Sequence, residues 1–159
     1  DRQEVLFARH DGVLRLIDPD GEQVWQVNVG GPIVSAPVVV SSNADGLQVL
    51  CVGSDGRMVW VSPDGTLVRE HHLNAPVQGA IVFADVDGDG VDEIVVGTSR
   101  TLHTVVMKQD GTEVACVPYG AIWEHAAAVE SLADDARSAI IVGSADEYLV
   151  ATVPTLKAR

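Results

Sequence analysis

The feature that most constrains this chain is an internal repeat with a period in the mid-forties. Gly53, Gly97 and Gly143 each close a similar apolar segment, at spacings of 44 and 46 residues. The turn Pro19-Asp-Gly21 recurs 44 residues later, and Asp110-Gly111 follows after another 46. Short β-type runs separated by Asp-Gly turns at this period indicate one supersecondary unit that is repeated along the chain.

The apolar runs predict 14 strands in four units, namely residues 1–30, 31–74, 75–120 and 121–159. The two middle units have four strands each, and the first and last have three. The first strands of the middle units are predicted at Ile33–Val40 and Val77–Ala84. This pattern predicts an all-β fold of β-propeller blades, each a sheet of four antiparallel strands. The chain would then hold about four blade-equivalents, two whole and two incomplete.

Closure of the ring has three solutions. Blades bury their faces only against neighbouring blades, so an open arc would leave sheet faces exposed to water. The chain could close as a four-bladed ring, complete a composite propeller as a homodimer, or form part of a longer propeller. Because the sequence begins at Asp1, without an initiator methionine or a signal peptide, the chain could also be an excised piece of a longer protein.

Composition excludes some classes of partner. The formal net charge of −13 argues against nucleic acid and against an anionic membrane surface, because phosphate binding requires a basic surface. No apolar stretch approaches 18 residues, so a membrane-spanning helix is not predicted. Cys51 and Cys116 lie within apolar runs of different repeats, which predicts two buried thiols without a disulfide.

The segment from Asp85 to Glu93 has the ligand spacing of a calcium loop. Carboxylates alternate with small or apolar residues, Gly90 permits a sharp turn, and a strand-like run follows at once. The predicted ligands are the carboxylates of Asp85, Asp87, Asp89 and Glu93 and the carbonyl of Val91. Asp92 could replace Glu93. Oxygen ligands without histidine or cysteine favour Ca²⁺. The alternative is a solvated acidic turn that binds no metal.

The repeat predicts one metal ion only. Ser41, Asn43 and Asp45 stand where the three loop aspartates would map in the second unit, and Ser131, Ala133 and Asp135 stand there in the last. Each copy has lost at least half of its carboxylates. The ion would lie between the first and second strands of its blade, on the face that carries the Pro-Asp-Gly turns, and would be structural.

Two resemblances follow from these motifs. The loop Asp85–Glu93 followed by Ile-Val-Val-Gly97 resembles the FG-GAP or VCBS type of propeller repeat. The run Asp11–Trp25, with a tryptophan after the turn, resembles the repeat of quinoprotein-like propellers (the PQQ-like repeat). In these families ligands bind on the face opposite the calcium loop. The resemblance implies a fold that hosts binding modules, scaffolds and enzymes.

The opposite face contains a candidate ligand-binding cluster. Trp123, Glu124 and His125 occupy a repeat position that holds mostly small or apolar residues elsewhere, and the polar Gln78 lies at the matching position of the third unit. An aromatic ring beside titratable groups is typical of a ligand contact. The alternative is ordinary packing of the tryptophan beside a surface ion pair.

The function predicted from the sequence is a non-enzymatic calcium-binding propeller module that contacts protein or carbohydrate. Calcium use and acidity suggest an extracellular or periplasmic location. The alternative is a subunit or fragment of a propeller enzyme, of the polysaccharide lyase or quinoprotein type, with its site on the face bearing Trp123–His125. No nucleophile elbow or phosphate-binding glycine loop is present in the sequence, and no quinone cofactor is predicted. A third interpretation is a structural piece that only completes a larger ring.

Overall fold

The structure is a computed structural model that describes residues 3–42, 46–77, 81–99, 103–118, 128–131, 138–143 and 149–152. These residues form 14 strands in four antiparallel sheets, in agreement with the all-β prediction. The chain divides into two compact units, Asp1–Asn74 and Ala75–Arg159, which are described separately. From here on, these are called the first and the second unit, and each contains two of the four sequence repeats. Within the described ranges, no helix has the length and apolar character needed to cross a membrane.

The first unit contains a three-stranded sheet and a four-stranded sheet, each with its strands in chain order. The three-stranded sheet comprises β1 (Val5–Ala8), β2 (Val13–Ile17) and β3 (Gln23–Asn28). The four-stranded sheet comprises β4 (Val38–Ser42), β5 (Gly46–Val52), β6 (Arg57–Val61) and β7 (Leu67–His72). Successive strands are joined by hairpins, so each sheet is a simple meander, as expected for a propeller blade.

The second unit repeats this plan with the incomplete sheet last. Its four-stranded sheet comprises β8 (Val82–Ala84), β9 (Glu93–Thr98), β10 (His103–Met107) and β11 (Glu113–Pro118). Its three-stranded sheet comprises β12 (Ala128–Ser131), β13 (Ser138–Gly143) and β14 (Leu149–Thr152). The two whole and two incomplete sheets therefore fall where the repeat predicted them.

The first strand of each four-stranded sheet is shorter than predicted. β4 begins at Val38, and the predicted start, Ile33, forms only an isolated bridge with Gly53. An uninterrupted ladder would have placed Ser35 opposite Gly53. Pro37 has no N–H to donate and restricts the residue before it, so this part of the chain leaves the ladder. In the second unit β8 begins at Val82, and Val77 likewise makes an isolated bridge, to Thr98.

The core of the first unit lies between its two sheets. The side of the four-stranded sheet that carries Val49, Cys51, Val59 and Val61 forms one buried cluster with Leu14. Full burial of one aliphatic side chain contributes roughly 1.5–3 kcal/mol. The alternation of these residues along β5 and β6 explains why a period-two pattern marks the strands, because every second side chain faces the same side.

The two cysteines differ in environment. Cys51 is fully buried in the core, and burial raises the pKa of its thiol to about 12. Cys116 is exposed, so its predicted burial is wrong. It lies on β11, the outer strand of its sheet, where Ala115 faces the core and its neighbour therefore faces solvent. Neither cysteine is in a disulfide.

Candidate metal centre

The acidic loop connects β8 to β9 and spans residues 85–92. Gly88 and Gly90 have φ values of 77° and 84°. Residues with a side chain rarely adopt this left-handed conformation, so the two glycines allow the chain to reverse within a short distance. The tight reversal turns the loop aspartates toward one another, as the calcium-loop spacing predicts.

Asp85 organises the loop backbone. Its Oδ1 accepts hydrogen bonds from the amides of Gly88 at 2.7 Å and Asp89 at 3.1 Å. Its Oδ2 accepts one from the Gly90 amide at 2.9 Å. Bonds from backbone N–H groups to a carboxylate are strong because the acceptor is charged. Asp85 therefore fixes the curvature of the loop.

Asp87 and Asp89 each use one oxygen for the loop and turn the other toward a shared point. Asp87 Oδ1 accepts from the Asp89 amide at 3.1 Å, and Asp89 Oδ1 accepts from the Val91 amide at 2.9 Å. One carboxylate oxygen from each of Asp85, Asp87 and Asp89 lies within 4.8 Å of the others. Three of the predicted ligands are thus brought together.

Glu93 approaches the same cluster from β9 and is fully buried. Its Oε2 accepts from the amides of Val86 at 2.9 Å and Asp87 at 3.3 Å. Its Oε1 is buried and has no hydrogen-bond partner. Burial raises the pKa of this carboxyl, while the bond from Val86 acts in the opposite direction. A buried carboxylate oxygen that accepts no hydrogen bond favours a cation nearby.

The remaining predicted ligands are less involved in the described geometry. Asp92 is exposed, and its carbonyl accepts a hydrogen bond from the Gln109 side chain at 3.1 Å. Adjacent residues at the start of a strand face opposite sides, so the loop end presents Glu93 to the cluster and Asp92 to solvent. Val91 has an exposed side chain and ties its amide to Asp89.

Lys108 is a residue of the candidate site that the sequence interpretation missed. It follows β10, and its ammonium lies 3.1 Å from Asp87 Oδ2, 2.8 Å from Asp89 Oδ2 and 3.4 Å from Glu93 Oε1. Hydrogen bonds to the two aspartates raise the pKa of this lysine, so it is charged at neutral pH. The repeat could have identified Lys108, because the matching positions hold Asp18 and Ser62, whereas this position holds a basic residue.

The candidate ligand-binding cluster Gln78, Trp123, Glu124 and His125 lies outside the described residues. So do Asn43, Asp45, Ala133 and Asp135 of the degenerate loops. Among the residues that are described, the acidic group of Asp85, Asp87 and Asp89 is the one that brings three potential metal ligands together.

A second polar cluster joins the two sheets of the first unit. Arg57 on β6 donates to the Val29 carbonyl and to Glu70 Oε2, the latter at 2.6 Å. His72 Nε2 lies 2.8 Å from Glu70 Oε1. The bonds from Arg57 and then His72 lower the pKa of Glu70. Arg57 therefore connects the four-stranded sheet to the end of the neighbouring three-stranded sheet.

An apolar cavity of about 450 Å³ lies between the same two sheets. Its lining includes Leu6, Leu16, Val39 and Trp25. The Trp25 indole N–H donates to the Pro63 carbonyl at 2.8 Å, which places the ring against the β6–β7 turn of the next sheet. The tryptophan noted in the sequence after an Asp-Gly turn therefore connects successive sheets of the first unit.

This chain resembles known proteins both in sequence and in structure. A family model described as the lambda-carrageenase beta-propeller domain matches residues 1–76. Among solved structures, BBS1N in complex with ARL6DN has a TM-score of 0.74 at 13% identity, covering 97% of this chain and 47% of that one. BamB from Moraxella catarrhalis has a TM-score of 0.63 at 19% identity, covering 96% and 44%. This chain has a β-propeller fold. No curated protein matches it.

The β-propeller spans about half the length of the solved chains that it resembles. Its identity to them is below one residue in five, so the likeness concerns the fold alone. The predicted propeller of four-stranded blades is confirmed. The finer assignment to the FG-GAP, VCBS or quinoprotein-like type stays a prediction.

Proposed function

We propose that this chain is a calcium-binding β-propeller module, without enzymatic activity of its own, that contacts carbohydrate or protein. The observation that carries the calcium assignment is the convergence of the Asp85, Asp87 and Asp89 carboxylates within 4.8 Å, beside the buried Oε1 of Glu93. Hard oxygen donors at this spacing suit Ca²⁺, which accepts six to eight oxygen ligands in flexible geometry.

The ion would have a structural role. The loop carboxylates are tied to backbone amides of the same loop, so an ion bound to them would stabilise the connection between β8 and β9. A ligand that binds only the folded state at 100 times its Kd adds about 2.7 kcal/mol to stability. For a chain of this size, each kcal/mol corresponds to roughly 2–4 °C in Tm.

Calcium is therefore expected to raise the Tm of the native chain by about 5–10 °C at saturation, measured by scanning calorimetry in metal-free buffer. The double variant Asp87→Asn/Asp89→Asn should lose this increase, because each substitution removes a charged ligand. Asp92→Asn removes one carboxylate charge beside the loop, at an exposed side chain, and should retain the increase. An equal response of the double variant and the native chain would show that calcium acts elsewhere.

Carbohydrate is the partner class that the family match favours. Residues 1–76 match the propeller domain of an enzyme named for a polysaccharide, which also supports the alternative that this module belongs to a larger polysaccharide-acting enzyme. Affinity electrophoresis of the protein in gels containing neutral or acidic polysaccharides tests the contact. A hydrolysis or elimination assay on each polysaccharide that slows the protein tests the enzyme alternative. Migration unchanged by every polysaccharide would remove carbohydrate as a partner.

Protein is the second candidate, favoured by the likeness to BBS1N, which was crystallised in complex with ARL6DN. A composite ring made by two copies of this chain remains a related proposal. Sedimentation equilibrium separates these arrangements, because a monomer has a mass of 16.8 kDa and a homodimer has twice that mass. The proposed calcium use and the net charge of −13 support an extracellular or periplasmic setting, which fractionation of the native source would test.

A further inference from the structure

Lys108 occupies a turn position that two other sheets use differently. Asp18, Ser62 and Lys108 each open the tight turn between the last two strands of a sheet. Their amides donate to the carbonyl four residues later, at 2.9, 2.8 and 2.8 Å respectively. The backbone of the turn is therefore the same in all three sheets, and only the side chain at this position differs.

The first two side chains stay within their own turns. Asp18 Oδ1 accepts from the amides of Asp20 and Glu22, both at 2.9 Å. Ser62 Oγ donates to the Thr66 carbonyl at 3.0 Å and contacts Asp64. These bonds satisfy turn amides and carbonyls locally, which is the usual role of aspartate and serine in turns. A lysine ammonium has no acceptor for turn amides.

The Lys108 side chain instead leaves its turn and enters the acidic loop of the same sheet. Its ammonium contacts Asp87 and Asp89 and lies 3.4 Å from the buried Oε1 of Glu93. In the first two sheets, where the matching residues are Asp18 and Ser62, the position carries no cation. Of these three sheets, the one that carries the full acidic loop is thus also the one with a lysine at this turn position.

We propose that Lys108 is an intramolecular counter-ion that holds the Asp85–Glu93 loop in its metal-free form and is displaced when a divalent cation binds. This inference rests on the proposed calcium site and assigns its regulation. The ammonium and the metal would share the oxygens of Asp87, Asp89 and Glu93, so both cannot bind at once. Lys108 is 29% exposed, which gives its long side chain a route from the loop into solvent.

Two consequences follow from competition for the same oxygens. The loop keeps its fold without metal, because the positive charge of Lys108 offsets the repulsion among its carboxylates. Calcium binds more weakly than the carboxylates alone would allow, because it must first displace a charged partner. Removing the lysine charge should therefore weaken the metal-free fold and strengthen calcium binding.

The test measures the Kd for CaCl₂ by isothermal titration calorimetry and the Tm in EDTA for the native chain and Lys108→Gln. K108Q is expected to bind calcium about tenfold more tightly and to melt at a lower temperature in EDTA, with its Tm restored by excess calcium. Lys157→Gln makes the same charge change at the chain's other lysine and should behave like the native chain. Lys108→Met, which keeps side-chain length without charge, should match K108Q.

The outcomes separate this inference from the proposed function. If the native chain and K108Q bind calcium with the same Kd, displacement of Lys108 is wrong and the calcium site stands. If neither chain binds calcium at millimolar concentration, the calcium site itself is wrong. If too little K108Q is folded for a titration, circular dichroism in saturating calcium establishes whether it folds. K108M then supplies the Kd that decides between these results.

Discussion

Trp25→Ala is expected to lower the free energy of unfolding by about 2–4 kcal/mol. The Trp25 ring packs against the core of the first unit and against the turn at Gly65, and its indole N–H donates to the Pro63 carbonyl. Truncation to alanine removes all three contacts and enlarges the apolar cavity that the ring lines. The loss should be large because this one side chain connects two successive sheets.

Urea unfolding followed by far-UV circular dichroism measures the change, since loss of a tryptophan does not remove the signal. Trp25→Phe keeps an aromatic ring but not the indole donor, and it should cost only about 1–2 kcal/mol. Val24→Ala changes the adjacent residue, which is 52% exposed, and should shift stability by less than about 0.5 kcal/mol. A loss below about 1 kcal/mol for Trp25→Ala would contradict a connecting role.

Gly65→Ala is expected to destabilise the chain by about 2–4 kcal/mol. Gly65 has a φ of 85°, and this left-handed conformation costs an L-residue roughly 1–2 kcal/mol. A Cβ added there would also lie 2.8 Å from two atoms of the Trp25 side chain, closer than van der Waals contact allows. The ring would have to move, which disturbs the same junction between the sheets.

Gly21→Ala is the matched control for that prediction. Gly21 occupies the equivalent turn of the first sheet with a φ of 88°, but a Cβ added there meets no atom within 4 Å. It should therefore incur only the conformational cost. The difference between the two variants, measured in the same urea experiment, reports the contact with Trp25. Equal losses for the two variants would show that the ring accommodates the extra methyl group without cost.

The repeat made most of the fold predictable. Glycines in Asp-Gly turns and alternating apolar runs define hairpins locally, so the number of strands and the composition of the sheets followed from sequence. The pairing of residues 33–37 was less predictable. The apolar run of the sequence continues through Pro37, which has no N–H to donate to the neighbouring strand. The exposure of Cys116 depends on which strand lies at the edge of its sheet, which an apolar run alone does not reveal.

The candidate site was predictable in its carboxylates and not in its counter-ion. Alternating aspartates around glycines have a local spacing that brings their oxygens together, so the proximity of Asp85, Asp87 and Asp89 followed from sequence. Whether Asp92 or Glu93 faces the cluster depends on the direction of the first β9 side chain, which the structure assigns to Glu93. Lys108 is 15 residues beyond Glu93 and reaches the loop only because β10 pairs with β9.

The calcium site is tested most directly by a crystal structure of the native chain grown in calcium chloride, with anomalous data collected to locate the ion. One anomalous peak is expected among the carboxylates of Asp85, Asp87, Asp89 and Glu93, with Ca–O distances of about 2.3–2.6 Å. The Lys108 ammonium should then lie outside the loop. A map with no peak there, and with the ammonium still bound to Asp87 and Asp89, would contradict it.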